Sequence, residues 1–434
     1  MIPAGTPARR SARSKPITCW RERNDAMPNC SSMVLPPFPH HRIIPKGSLG
    51  AKEMNPMIYL DNAATSFPKP PQVIRAVTGA MEKLGANPGR GGHCLALRAG
   101  RVVQACREEA ARLLGMEQPE RVIFTKNCTE SINLAISGVL KQGDEVLCSH
   151  GEHNAVMRLL KRFAAWGQIS LRTLPPDSMG ILQPHVLQQH ITSRTALVVV
   201  CHASNVTGVI QPVERLGAIC HENGVPLLVD AAQTAGILDV GPSALRADMV
   251  AMPGHKGLLG PHGTGILALG HSMDPEPLMV GGTGSASESM LQPDLLPDRY
   301  ESGTLNLPGI AGLLQGIRFA RRYRSEIHEY ECWLNQRFRR QVEGLPGLRL
   351  LHHPDAPCVG ITSFVVEGMD AGQIADGLNT CGIAVRGGLH CAPAMHQWLG
   401  TLQSGAVRIS PGIYNTEQEI DDAAAMLERM LLKR

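Results

Sequence analysis

Between residues 121 and 270 seven short apolar runs recur: "RVIFTK" (121–126), "DEVLCS" (144–149), "ISLRTL" (169–174), "ALVVVCH" (196–202), "VPLLVDAA" (225–232), "DMVAMP" (248–253) and "TGILALG" (264–270). Several are apolar at consecutive rather than alternate positions, so both faces of the strand must be covered, as in a parallel sheet with helices on either side. Between them, "TESINLAISGVLKQG" and "PVERLGAICHENG" space their apolar residues as helices do and close on Gly, a helix stop signal. The pattern predicts a large, mostly parallel, seven-stranded α/β sheet.

After about residue 309 the pattern changes. A long charged helix is predicted through "RFARRYRSEIHEYECWLNQRFRRQVEG". It is followed by a strand at 361–366, a helix at 370–382, strands at 383–388 and 406–410, and a closing helix from Thr416. This reads as a smaller C-terminal α/β domain (316–434) beside a large domain (57–315). Residues 1–56 differ from both: "PARRSARSKP" is basic and "VLPPFPHHRIIPKG" is Pro-rich without periodicity. They are expected to be a disordered or adventitious extension, with the functional chain starting near Met54 or Met57.

Composition narrows the class. A formal charge of +4 on 434 residues with 43% hydrophobic content gives no reason to expect a nucleic-acid partner, and no apolar run approaches the roughly 20 residues that span a bilayer, so no membrane partner is expected. The twelve cysteines include no CxxC pair, which argues against zinc-ribbon spacing and, without an export signal, against a disulfide framework. A cytoplasmic setting fits best.

In open α/β sheets ligands gather beyond the carboxyl ends of the strands. "VIFTKNCTES" places Asn127, Cys128 and Thr129 between a strand and a helix start, where free N–H groups favour a phosphate; a simple N-cap is the alternative. Asn205 follows one buried strand, Asp230 and Gln233 the next, and Lys256 lies in a Gly-rich loop 26 residues after Asp230. A P-loop is excluded, because Gly follows the Lys where Ser or Thr is required. A Schiff-base lysine explains the set: pyridoxal 5'-phosphate needs a Lys for its aldehyde, a carboxylate for its ring nitrogen and a phosphate cup. His153, in "SHGEHNAVM", is placed to stack on such a ring. With His150 it makes no metal site, because no third ligand is suitably spaced, and no metal is expected.

Taken together and in order, "IYLDNAATSFPKP", "NCTESINLA", "GEHNAVM", "SNVTG", "VDAAQ", "GHKGLLGPHGTG", "RYESGTLNLPGI" and "RGGLHCAP…VRISPGIYNT" resemble the cysteine desulfurases of the class V aminotransferase superfamily, pyridoxal-phosphate fold type I, over about residues 57–430. The resemblance implies roles. Lys256 is the cofactor lysine, Asp230 the ring-nitrogen partner and His153 the stacking residue, and Lys256 with His153 is expected to move the substrate's Cα proton. Asn205 and Gln233 lie around the cofactor's O3', with Asn205 also at the substrate carboxylate, and Cys128, Thr129 and His255 at the phosphate. Pro253 stands where the family commonly has a hydroxyl residue. Thr283, in "GGTGS", is the residue expected to complete the phosphate site of a second subunit, which makes a homodimer.

The resemblance also gives Cys391 its role as the nucleophile that takes sulfur as a persulfide, so it is expected to be mobile and exposed, with Gly387 and Gly388 nearby. Arg408 matches the residue that holds the substrate carboxylate, and Arg386 is a second contact. Arg408 follows Cys391 by only 17 residues, which resembles the short-loop group II enzymes of sulfur mobilisation that pass sulfur to an acceptor protein. The implied reaction turns L-cysteine into L-alanine, with sulfur bound for uses such as iron–sulfur cluster assembly. A selenocysteine lyase acting on L-selenocysteine, another class V enzyme and a non-catalytic scaffold of the sulfur pathway are the alternatives.

Overall fold

The computed structural model describes residues 57–89 and 91–432, and the expectations for 1–56 lie outside the described residues. In chain order the first elements are β1 (Ile58–Tyr59), α1 (Pro71–Lys83), α2 (Cys94–Leu113), β2 (Val122–Thr125), α3 (Cys128–Val139), β3 (Asp144–Ser149), α4 (Asn154–Ala165) and β4 (Ile169–Leu174). Then come α5 (Pro184–His190), β5 (Thr195–Cys201), α6 (Val213–Glu222), β6 (Leu227–Asp230), α7 (Pro242–Leu245), β7 (Met249–Pro253) and β8 (Gly265–Leu269). The C-terminal part adds α8 (Leu307–Val342), β9 (Leu348–Leu350), β10 (Thr362–Val366), α9 (Ala371–Thr380), β11 (Ile383–Ala384), β12 (Arg386–Gly388), α10 (Pro393–Trp398), β13 (Ala406–Ile409) and α11 (Glu417–Leu432).

All seven predicted strands form one sheet in the order β2-β8-β7-β6-β5-β3-β4. The pairs β3–β4, β3–β5, β5–β6 and β6–β7 are parallel, and only β8 runs against its neighbours β2 and β7. Successive residues of one strand serve opposite faces. Val198 and Val200 of β5 pack with α2, α6 and α8, while Leu197 and Val199 pack with α3 and α4. That is why the runs are continuously apolar. Burying each such side chain is worth about 1.5–3 kcal/mol, so both faces hold the sheet in place.

A second sheet, in the order β12-β13-β10-β9, is antiparallel throughout, and β1 pairs in parallel with β11. The predicted strand at 383–388 is therefore two. The chain changes partner at Val385, because β1 takes Ile383 and Ala384 while β13 takes Arg386 to Gly388. The long helix α8 starts at Leu307 rather than Arg318, capped by Asn306, whose side chain accepts from the Gly309 N–H at 3.1 Å, and it bends at Tyr323. No helix of the described residues is long and apolar enough to cross a membrane.

Candidate active site

The carboxyl ends of β2, β3, β5, β6 and β7 open onto a cavity of about 180 Å³ whose walls include Cys128, His153, Asn205, Asp230, Gln233 and Lys256, with Thr129, Pro253 and His255 beside them. These residues come from five different strand ends, so the sheet alone brings them together. Each is held locally.

The first turn of α3 begins at Cys128. Its cap is Asn127, whose Oδ1 accepts from the Glu130 N–H at 2.9 Å, so Thr129 is not the cap. Cys128 and Thr129 present first-turn N–H groups, which have no intrahelical acceptor, and the helix dipole makes the spot attractive to anions. Gly265 at the start of β8 permits this approach, since a Cβ there would lie 2.6 Å from both the Asn127 carbonyl carbon and Thr125 Oγ1.

Asp230 ends β6 buried, and its Oδ1 accepts from the Ala232 N–H at 2.9 Å and from the Cys128 thiol at 3.5 Å. Burial pushes the Lys256 amine below its usual range, with Asp230 pulling the other way and Arg408 reinforcing the shift. The lysine is thereby biased toward the neutral, nucleophilic amine. His153 caps α4: its Nδ1 accepts from the Ala155 N–H at 3.0 Å, and burial lowers its basicity. That contact places the proton of the neutral ring on Nε2, which meets no hydrogen-bond partner among the described residues.

His255 stacks on His262 at 5.0 Å, and burial takes it down to about 4. Its Nδ1 is buried without a partner. Its carbonyl is tied down by Lys69 Nζ at 2.7 Å and by the Ser66 and Thr65 hydroxyls. Pro253 ends β7 without a side-chain donor.

Cys391 and the two arginines stand outside the cavity wall but are joined to it. The Asn205 side-chain N–H donates to the His390 carbonyl at 2.5 Å, and the Asn154 N–H, next to His153, donates to the Cys391 carbonyl at 2.7 Å. Cys391 is half-buried rather than fully exposed: it and His390 adopt left-handed backbone (φ 59° and 50°), and both carbonyls are bonded, so the loop is held despite its glycines. Arg386 Nη2 lies 4.0 Å from Cys391 Sγ.

Arg386 and Arg408 occupy the same register position on β12 and β13. The Arg408 side chain is 1% exposed; its Nη2 meets Asp61 Oδ1 at 2.7 Å, its Nη1 donates to the Asn205 carbonyl at 3.0 Å, and its Nε has no partner. The buried Arg408 guanidinium thus has one carboxylate, Asp61, with a second guanidinium opposite it on the neighbouring strand, an arrangement that suits a further anion.

Gln233 donates to the Ala63 carbonyl at 3.2 Å. Thr283 does not line the cavity, and its hydroxyl donates to the Ser285 carbonyl at 3.1 Å. Among the described residues no three metal-ligating side chains converge.

Sequence reasoning missed Asp61, although it stands in "IYLDNAATSF", because its partner lies 347 residues away. It also missed Glu152, the fully buried residue before His153. Glu152 Oε1 accepts from the Ser149 hydroxyl at 2.5 Å and the Cys201 N–H at 2.7 Å, while Oε2 has no partner, and burial raises its pKa to about 8. Its neighbours Gly151, His153 and Asn154 form no apolar run, so the local sequence carried no signal of its burial.

A sheet of this order carrying a lysine, an aspartate and a helix start at its strand ends is the architecture of the class V aminotransferases. The chain belongs to the aminotransferase class-V family, whose pattern it matches over residues 58–422. It is 36% identical over 381 residues to a probable cysteine desulfurase of Methanothermobacter thermautotrophicus, an alignment covering 86% of this chain and 94% of that one. The solved apo structure of a cysteine desulfurase from Thermococcus onnurineus is similar, with a TM-score of 0.82 and 32% identity over 87% of this chain and 95% of that one. An Escherichia coli cysteine desulfurase structure has a TM-score of 0.79 at 27% identity, covering 87% and 95% of the two chains.

Proposed function

We propose that this protein is a pyridoxal-phosphate-dependent cysteine desulfurase that converts L-cysteine to L-alanine and carries the sulfur on Cys391. The observation that carries the reading is the placement of Cys391 and the Arg386–Arg408 pair against a strand-end cavity that contains a lysine biased toward its neutral form.

The donor set suits the cofactor. Lys256 would hold its aldehyde carbon and Asp230 its ring nitrogen, His153 would cover the ring, and Asn205 and Gln233 would meet its polar edge. The first turn of α3, with Cys128 and Thr129, would hold the phosphate; the unpartnered Nδ1 of His255 supports this, as a buried nitrogen lacking a bond. When bound, pyridoxal phosphate supplies an electron sink for charge that develops at the substrate Cα.

The protein's part follows from its own groups. Arg408 and Arg386 bind the substrate carboxylate, which relieves their mutual repulsion. Lys256 Nζ moves the Cα proton, and His153, whose neutral ring carries its proton on Nε2, stands beside it as a donor. Cys391 Sγ forms a bond to the substrate sulfur as that sulfur's bond to carbon breaks. One thiol and one L-cysteine give one persulfide and one L-alanine, so no outside oxidant or reductant is consumed. The persulfide then passes to an acceptor protein, for sulfur mobilisation such as iron–sulfur cluster assembly.

The exposed apolar side chains Leu278, Val280, Met290 and Leu291 flank Thr283 and support a homodimer in which Thr283 reaches the partner's phosphate site. Each of the ten cysteines among the described residues is free, which supports a reducing, cytoplasmic setting.

The test is a visible absorption spectrum of the purified protein with pyridoxal phosphate, followed by alanine and sulfide release from L-cysteine under a thiol reductant. Wild type should bind the cofactor and turn over, and Cys391→Ala should keep the spectrum and lose sulfide. Undiminished turnover in Cys391→Ala, or faster turnover of L-selenocysteine through a Cys391-independent route, overturns it.

A further inference from the structure

Behind Cys391 three buried side chains form a line. Thr401 Oγ1 lies 2.8 Å from His396 Nδ1, His396 Nε2 lies 3.3 Å from His390 Nδ1, and His390 Nε2 lies 3.3 Å from the Arg386 carbonyl. The three residues are 2%, 0% and 3% exposed, in the order Thr401, His396, His390, so water does not compete for these groups. The imidazoles stack with ring centres 5.5 Å apart.

The proton positions follow from the far end. A carbonyl only accepts, so His390 Nε2 carries the hydrogen that faces Arg386. A neutral His390 then has a bare Nδ1, which makes His396 Nε2 the donor to it. That leaves His396 Nδ1 bare, to accept the hydroxyl proton of Thr401. Every link has one donor and one acceptor, and all run the same way, from Thr401 to the Arg386 backbone. Burial lowers the basicity of both rings, His390 to about 3, which keeps them neutral as the line requires.

The line ends where the reaction's groups sit. Its last acceptor is the backbone of Arg386, whose guanidinium is 4.0 Å from Cys391 Sγ. His390 is also the residue before Cys391. Its own carbonyl is bonded by Asn205, and its left-handed backbone sets the direction in which the Cys391 side chain leaves the loop. With both ring nitrogens of His390 engaged, the ring has no lone pair to offer the thiol, so its role is placement rather than proton removal.

We propose that Thr401, His396 and His390 are positioning residues for sulfur transfer, a directed hydrogen-bond line that fixes Cys391 Sγ against Arg386. This rests on the desulfurase reading for its effect on turnover, but the geometry of Cys391 can be read separately from activity.

The experiment uses the full chain loaded with pyridoxal phosphate. Thr401→Val keeps the shape of the side chain and removes the hydroxyl, Thr401→Ser keeps the hydroxyl, His396→Leu cuts the line, and His396→Gln restores a donor at the place of Nε2. Loss of one link is expected to lower kcat for alanine formation by about tenfold in Thr401→Val, and more in His396→Leu. KM for L-cysteine and the cofactor spectrum should stay as in wild type, because neither ligand touches the line. Thr401→Ser should behave as wild type, and His396→Gln should recover part of the loss.

The second readout is alkylation of Cys391 by iodoacetamide, followed by mass spectrometry of the peptide. A released loop exposes the thiol, so the rate should rise in Thr401→Val and His396→Leu but not in Thr401→Ser. Equal alkylation rates and equal kcat in Thr401→Val and Thr401→Ser overturn the proposal. If wild type makes no alanine from L-cysteine the functional reading fails, and the alkylation series still decides whether the line holds the loop.

Discussion

The Arg408 guanidinium and the Asp61 carboxylate meet at 2.7 Å across 347 residues of sequence, and the arginine side of the pair is almost wholly shielded from water. Asp61 is the counter-ion that lets Arg408 sit opposite Arg386 before any substrate is present.

Replacing Arg408 by Lys removes the two-pronged contact while keeping the charge. KM for L-cysteine is expected to rise at least about tenfold, with a smaller change in kcat, since the carboxylate is bound alike before and during the reaction. Asp61→Asn acts the other way on binding energetics. It leaves the buried Arg408 guanidinium without its carboxylate, so the unliganded protein should melt lower, and added L-alanine should raise its melting temperature by more than it does for wild type. A thermal-shift titration checks both.

Glu152 makes stability fall toward alkaline pH. Burial raises it from 4.5 to about 8, so within that window the folded chain holds a proton that the unfolded chain has released. Its stabilising effect is complete below about 4.5 and is lost as pH rises through 8. Within the window the slope from one such proton is at most on the order of 1.4 kcal/mol per pH unit. Denaturation curves from pH 5 to 9 should flatten in part in Glu152→Gln, and further when combined with Glu331→Gln, since burial raises Glu331 to about 8 as well.

Arg107 of α2 and Glu301 form a two-pronged pair at 2.8 and 2.7 Å, both nearly inaccessible. Glu301 also accepts from the Phe124 N–H of β2 at 2.7 Å, and Arg107 donates to the Val122 carbonyl. Removing one charge strands the other, so Glu301→Ala should cost about 3–5 kcal/mol, while a hydrophobic replacement of both members should cost less. Urea unfolding of the single and double variants measures the difference, and equal losses in the two would contradict it.

The seven strands of the main sheet were legible because each face of the sheet is covered, so burial wrote itself into consecutive positions. The cavity residues were legible for a related reason: Asp230 ends an apolar run and Lys256 lies in the glycine-rich loop that follows the next one, where nothing but chemistry or capping keeps a charge. Other features depend on partners that a local reading does not contain. β9 is three residues long and half-exposed, too short for a pattern. The break at Val385 reflects which strand lies beside each half. The hold on Cys391 comes from Asn154 and Asn205, residues about 200 positions earlier, while the local sequence shows only the glycines that suggest freedom.

The pairing of β1 with β11 joins Ile58 to Ile383, and Asp61 bridges to Ser410. During synthesis the segment that opens the described fold must therefore wait for almost the last one to leave the ribosome. The main sheet needs no such delay, since β2 to β8 are complete by Leu269. Long-range closure of this kind is slow relative to local pairing. The nascent chain thus completes the strands that line its cavity before the loop that carries Cys391 is made, so a ribosome stalled after α8 would carry the main sheet without that loop.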